Sequence, residues 1–401
     1  MFTEDVAKAE SYIETLCNVE PNRRVGSQGN KVATDFFKEK VEDFGYLVDD
    51  TPFNCLDYQS NKPALTCQCS SFEVKVSPYS LGCEVSAQLT VASTVGELEK
   101  SQCTDRILLL IGEICAEQLM PKNFVFYNPD HHKKIISLLE EKHPKAIIAA
   151  TTKNPMMVGN IYPFPLINDG DFDIPSVYCT DKVGKAIASK AGEIFKLKVD
   201  AKRIPTTASN VVARLNPQAK QKITVCAHID TVEDTPGASD NASGVVTELI
   251  LADKLKGYQG KMGIEIIAFN GEDHYSVAGQ MDYLKRYGEE IKKILFTINI
   301  DDVGYKKGKT AYSFYECPNG LDKKTQTAFS MFPELVSGDQ WFQGDHMIFV
   351  QNKKPAIAIT SEKMAELMMT VTHSQKDTPD IVDCKKLVNV AYALGNLVTS
   401  F

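Results

Sequence analysis

Five apolar runs recur through the second half of this 401-residue chain: 210–215, 223–227, 263–269, 293–300 and 355–360. Stretches of helical period, 244–256, 276–287 and 322–332, separate several of them, and a last helix over 385–399 closes the chain. Strand-length runs joined through helices cannot pair as simple hairpins. They predict an α/β fold with a mostly parallel central sheet and helices on both faces. A sheet of that kind meets its ligands at the carboxyl ends of its strands.

Charged residues stand where those ends fall. ITVCAHIDTV ends a strand at His228 with Asp230 beyond it, IEIIAFNGED ends one at Glu272 and Asp273, and ILFTINIDDVG ends one at Asp301. Asp240 lies in the small-residue loop PGASDNASGVV, and His373 in THSQKDTPD. Each residue alone has a plain structural reading: His228 as a buried imidazole satisfied by backbone, Asp240 as a helix N-cap, the Glu272–Asp273 pair as a solvated turn. Together, two imidazoles and several carboxylates are what two adjacent divalent ions need, with one carboxylate left over as a base. Asp230, two residues from His228, is placed to take the second ring N–H of a metal-bound imidazole. Adjacent side chains diverge, so one of Glu272 and Asp273 can bind metal while the other moves a proton. Asp240 is suited to bridging two ions.

The first half reads differently. Residues 4–17 and 30–44 have helical spacing, Gly45 stops the second helix, and Tyr46–Val48 begins a strand. A block with its own rhythm follows: strands at 106–111, 145–150 and 176–178, helices at 130–142 and 181–191. The net charge of −8 offers no footprint for nucleic acid or an anionic membrane, and no apolar run approaches bilayer length. The acidic, amphipathic opening MFTEDVAKAESYIETL is unlike a signal peptide. Eleven scattered cysteines, with Cys67 and Cys69 the only close pair, then read as reduced thiols of a cytoplasmic protein.

The ordered set His228, Asp240, Glu272, Asp273, Asp301 and His373, with Arg24-Val25-Gly26-Ser27-Gln28-Gly29 near the start, resembles the co-catalytic di-zinc aminopeptidase family. That family includes bacterial leucyl-type aminopeptidases and shares its fold with glutamate carboxypeptidase and the non-catalytic transferrin receptor. The resemblance implies that His228 and Asp301 bind one metal, Asp273 and His373 the other, and that Asp240 bridges both. It makes Glu272 the general base and acid, and Asp230 the residue that orients His228. The metals would be zinc by default, with manganese or cobalt able to compete for such N/O sites. The segment Gly344–Phe349 resembles a D-H-x-x-F element near the family's active site, which makes His346 a candidate either for supporting the site residues or for substrate contact, beside the plain reading of a histidine at a helix start. Residues 58–203 resemble the protease-associated domain that interrupts this fold in some members. The peptidase domain would then be discontinuous, 1–57 and 204–401, and the insert would shape or cap the active-site mouth. The family's common Glu-Glu pair is Glu272-Asp273 here, and Asp302 stands where relatives often carry an apolar residue.

The expected activity is removal of N-terminal residues from peptides. A carboxypeptidase or another amidohydrolase on the same scaffold is the nearer alternative. A carboxypeptidase wants an arginine cluster for the substrate carboxylate, and only Arg214 and Arg286 follow Arg203. A non-catalytic binding protein is the more distant one, and it should have lost ligands. Neither the preferred residue nor the oligomeric state is legible in the sequence, and Asp302 is a candidate for charge selection only if its side chain faces the cleft.

Overall fold

The structure is a computed structural model describing residues 2–401. It divides into two compact units, Met1–Cys55 with Thr206–Phe401, and Leu56–Pro205.

The first unit is built on an eight-stranded sheet. Its strands are β1 (Leu47–Asp49), β2 (Val211–Leu215), β3 (Lys222–His228), β4 (Gly263–Phe269), β5 (Ile294–Ile300), β6 (Thr310–Tyr315), β7 (Leu335–Ser337) and β8 (Ala356–Ser361). Their spatial order is β1-β2-β4-β3-β5-β8-β6-β7. The centre, β4-β3-β5-β8, is parallel. β2 and β6 run antiparallel to their central neighbours. The helices are α1 (Phe2–Cys17), α2 (Gln28–Asp43), α3 (Ser243–Leu255), α4 (Ala278–Tyr287), α5 (Asn319–Phe329), α6 (His346–Gln351), α7 (Met364–Thr370) and α8 (Cys384–Thr399).

Strand alternation decides what each face of the sheet holds. Ile223, Val225, Ala227, Ile264, Ile266, Phe296 and Ile298 join residues of α1, α2, α3 and α8 in one large apolar core. The intervening row Glu265–Thr224–Thr297 is in register across β4, β3 and β5. Glu265 is buried, yet it accepts hydrogen bonds from Lys222, Arg214 and Tyr283 at 2.7–2.8 Å. Burial pushes its carboxyl up, but the two cations outweigh that and hold it below the usual carboxylate range. Gly244 lets α3 start against β5, since a Cβ there would lie 2.4 Å from the Ile300 carbonyl oxygen.

The second unit has its own eight-stranded sheet, with Cys83–Ala92, Ile107–Ile111, Ala146–Thr151 and Ser176–Thr180 as a parallel core. Helices Asp130–Lys142 and Asp181–Ala188 follow strands, as the periodicity predicts. Separate apolar clusters fill this unit. The strands by which the chain enters and leaves it, Phe53–Ser60 and Ala201–Ala208, pair with each other. Among the described residues no helix is long and apolar enough to cross a membrane.

Two inner strands of the second sheet, Cys83–Ala92 and Ile194–Val199, were not anticipated from sequence, because their exposed alternate positions interrupt any apolar run. The other elements not anticipated are short or peripheral. β6 and β7 close the first sheet with an antiparallel edge, and α6 and α7 span six and seven residues, too few for a helical period to stand out.

Glu248 of α3 is fully buried, and among the described residues no side chain pairs with either carboxyl oxygen. Burial, then the nearby Asp345 carboxylate, raises its carboxyl well above the usual range. The folded state therefore holds this proton more tightly than the unfolded chain. Stability is lost as pH rises from the unfolded value near ~4.3 toward the folded one. Glu248→Met should raise the unfolding free energy by about 1–3 kcal/mol at pH 8, with a smaller gain at pH 4. Denaturant melts at both pH values check this, and an equal or negative effect at pH 8 contradicts it.

Candidate metal centre

Three neighbouring strands deliver the donors to one sheet edge. β3 ends at His228, β4 is followed by Asn270-Gly271-Glu272-Asp273, and β5 is followed by Asp301. The loop before α3 brings Asp240, and the loop after α7 brings His373. His228 Nε2 lies 3.1 Å from Asp240 Oδ1 and 3.5 Å from Asp301 Oδ1. His373 Nε2 lies 3.1 Å from Asp240 Oδ2 and 2.8 Å from Asp273 Oδ1. The two oxygens of Asp240 thus face two separate donor sets, His228 with Asp301 and His373 with Asp273.

Asp240 is free for that position because its neighbour does the helix-end work. Asn241 accepts the Gly244 N–H at 2.9 Å and donates to the Ile300 carbonyl at 2.9 Å. The alternative of Asp240 as the N-cap is thereby occupied by Asn241.

The surrounding electrostatics are severe. Burial would push the Asp240 carboxyl up, but hydrogen bonds from His228 and His373 hold it well below the usual range. Burial would depress both imidazoles, yet Asp301 and Asp240 raise His228, and Asp273 and Asp240 raise His373. Burial raises the carboxyls of Asp301 and Glu272, and neighbouring carboxylates add to it. Asp345, also buried, is pushed up to about 7 by burial and holds Gln280 Nε2 at 2.8 Å.

Asp230 meets His228 through its main chain more closely than through its carboxylate. β3 stops at His228, so Asp230 lies past the regular strand, and its main-chain oxygen sits 3.2 Å from His228 Nδ1. The carboxylate is farther from that nitrogen, at 3.9 Å. It accepts instead the backbone N–H groups of Gly271, Glu272 and Asp273 at 2.6, 3.3 and 3.1 Å. Asp230 therefore orients the imidazole through its carbonyl and the Glu272–Asp273 turn through its carboxylate.

Asp377 performs the matching task and was not singled out in the sequence. Fully buried, it accepts the Ser239 and Asp240 N–H groups at 2.7 and 3.0 Å, tying the Asp240 loop to the His373 loop. Its signal is the H-x-x-x-D spacing from His373, which looks like an ordinary turn in THSQKDTPD.

Two other candidates are scaffold residues. Asp302 has a positive φ of 54°, a region that Asp tolerates, and its carboxylate accepts from Ser239 Oγ at 2.7 Å with 6% of the residue exposed. His346 is fully buried between Tyr315 and Trp341. Its Nε2 donates to the Trp341 carbonyl, its Nδ1 accepts from Asn299, and burial lowers it to about 4, so the ring is neutral.

The donor chemistry fits divalent cations. The donor atoms of His228, Asp240 and Asp273 lie within 4.8 Å of one another. Among the described residues no hydrogen-bond partner reaches buried Asp273 Oδ2, and buried Asp301 Oδ1 has only the long 3.5 Å approach of His228. Among the described residues, the ion-pair partners of Asp240, Asp273 and Asp301 are the two imidazoles alone. Buried carboxylates so poorly matched by protein cations call for metal charge. A second group, Glu117, His131 and His132, is close enough to hold an ion, but Glu117 and His131 are exposed. His132 Nδ1 accepts the Met120 N–H at 3.1 Å, so its Nε2, 3.2 Å from Glu117, carries the hydrogen.

Residues 210–398 match peptidase family M28. The probable lipoprotein aminopeptidase LpqL of Mycobacterium tuberculosis is 22% identical over 73% of this chain and 57% of its own length. Aminopeptidase YwaD of Bacillus subtilis is 29% identical over 59% of this chain and 52% of its own. The chain thus spans a little over half the length of these curated relatives. The structure of a zinc aminopeptidase from Bacillus subtilis superposes with a TM-score of 0.74 at 19% identity, covering 98% of this chain and 94% of that one.

If Asp240 is shared, its loss must be felt on both sides. Calorimetric titration with zinc should show two ions per chain, as in other two-metal sites. Asp240→Asn should weaken both, and Asp301→Asn and Asp273→Asn one each. Independent loss of a single ion in Asp240→Asn contradicts the shared position.

Proposed function

We propose that this chain, whose residues 210–398 match peptidase family M28, is a two-zinc aminopeptidase that hydrolyses the N-terminal residue of peptides. The observation that carries the reading is the division of donors by Asp240, with His228 and His373 each 3.1 Å from one of its oxygens. His228 and Asp301 would hold one ion, Asp273 and His373 the other, and Asp240 both. Bound there, the ions supply Lewis-acid polarisation of the scissile carbonyl and make water a nucleophile near neutral pH.

The remaining work falls to the chain's own residues. Glu272 is the half of the carboxylate pair without an imidazole partner, and Asp230 holds its main-chain amide. In the reaction Glu272 takes a proton from the attacking water and delivers it to the leaving amine nitrogen. The acidic edge favours a substrate's free ammonium over its carboxylate. Arg214 and Arg286, the two arginines after Arg203, are engaged elsewhere: Arg214 with Glu265, Arg286 with Asp282 and the Pro52 carbonyl. Neither is a free clamp for a C-terminal carboxylate, which supports the aminopeptidase reading over a carboxypeptidase. The eleven free thiols support a cytoplasmic setting.

Glu272→Gln should lower kcat on aminoacyl-nitroanilides by at least ~10²-fold, with zinc content unchanged and N-acetylated substrates inert for wild type. A zinc-loaded Glu272→Gln enzyme with near wild-type kcat removes Glu272 from the mechanism, and turnover of acetylated substrate removes the exopeptidase reading.

We also read residues 58–203 as a protease-associated-like insert in a discontinuous peptidase domain, 1–57 and 204–401. The pairing of its entry and exit strands supports this, because an inserted module needs its ends close together. Replacing the insert by a short linker should leave zinc binding intact and change peptide-length preference. Loss of zinc binding with loss of the fold contradicts the division.

A further inference from the structure

The motif near the amino terminus has no part in the chemistry above, yet the residue before it reaches the loops that carry the metal donors. Arg23 is 1% exposed. Its guanidinium donates to four main-chain carbonyls: Nε to Ile229 at 2.9 Å, Nη1 to Leu16 at 2.8 Å and Pro236 at 2.9 Å, and Nη2 to Gly237 at 2.8 Å. Ile229 directly follows His228, and Gly237 lies three residues before Asp240. The four bonds therefore clamp both ends of the loop between two donors onto the end of α1.

We propose that Arg23 is a positioning residue of the metal centre, its carbonyl-caged guanidinium setting the separation of His228 from Asp240. The proposal rests on the two-zinc reading.

The surroundings are built to hold this one side chain in place. Asn30 donates to the Arg23 carbonyl at 2.9 Å and also to Asn270 Oδ1, just before the Glu272–Asp273 turn. Ser27 caps α2 through the Asn30 N–H and donates to the Asn22 carbonyl at 3.0 Å. Gly29 packs so closely that a Cβ would lie 2.1 Å from the Asn22 oxygen. One tight turn thus touches the loops of His228, Asp240 and Asp273. Arg24, by contrast, pairs with the half-exposed Glu233 at 2.8 Å. A planar fork with five donors can serve four carbonyls on three segments, and a lysine ammonium, a compact point charge with three donors, cannot. Among the described residues no carboxylate makes an ion pair with Arg23, although its charge is felt by Asp377, and burying a cation in this way is costly for a simple loop tie. The cost is understandable where donor spacing must be held.

The test compares Arg23→Lys and Arg23→Gln with wild type by zinc affinity in chelator competition, by kcat and KM at saturating zinc, and by melting of the metal-free protein. Zinc affinity should fall by ~10- to 100-fold, the usual cost of losing a residue that orients metal donors. Lysine should rescue no better than glutamine, and kcat should fall more than KM changes. A purely structural role would lower the melting temperature and leave zinc affinity and kcat of the folded protein unchanged, and that result overturns the proposal. Failure of both variants to fold in excess zinc overturns it too, making Arg23 a residue of the fold. Wild type that takes up no zinc would instead refute the metal reading itself.

Discussion

Crowding of carboxylates at the ends of β3, β4 and β5 is the constraint on which the rest of this structure depends. Asp240, Asp273, Asp301, Glu272 and Asp345 lie at one sheet edge, and several are buried. Isolated buried charges of one sign are among the costliest arrangements in a protein interior. Two imidazoles compensate part of it. The rest is chemistry for divalent cations, and Asp240 divides the donors so that two can share it.

Such an edge must be held rigid by groups that are not themselves donors. Main-chain hydrogen bonds do this here. Asp230 takes three successive N–H groups of the Glu272–Asp273 turn, Asp377 takes two at Asp240, and Arg23 takes four carbonyls around the His228–Asp240 loop. Anions hold amides and a cation holds carbonyls, so each clamp meets the backbone dipole it suits. Donor positions are thereby set by backbone, which side-chain rotamer motion does not disturb.

The candidate site residues at strand ends were legible in the sequence because a parallel strand writes its end as an apolar run stopping at a polar residue. His228, Glu272, Asp273 and Asp301 all follow that rule, and 263–269 matches β4 residue for residue. The clamps were not legible. Asp377 looks like a turn residue and Arg23 like a charged residue near a helix end, and the pairing of Asp230 with His228 gives no sign that its carboxylate serves the Glu272–Asp273 turn, because the amides and carbonyls they serve are distant in sequence. Asp302 shows the same limit. Continued alternation after β5 would set its direction, but a positive φ turns its carboxylate to Ser239.

The central claim is that Asp240 lies between two metal positions. The most direct measurement is an anomalous difference map at the zinc edge from crystals of the zinc-loaded protein. The account predicts two peaks flanking the Asp240 carboxylate, one within bonding distance of His228 and Asp301, the other of Asp273 and His373. A single peak, or two peaks of which one makes no contact with Asp240, would contradict it.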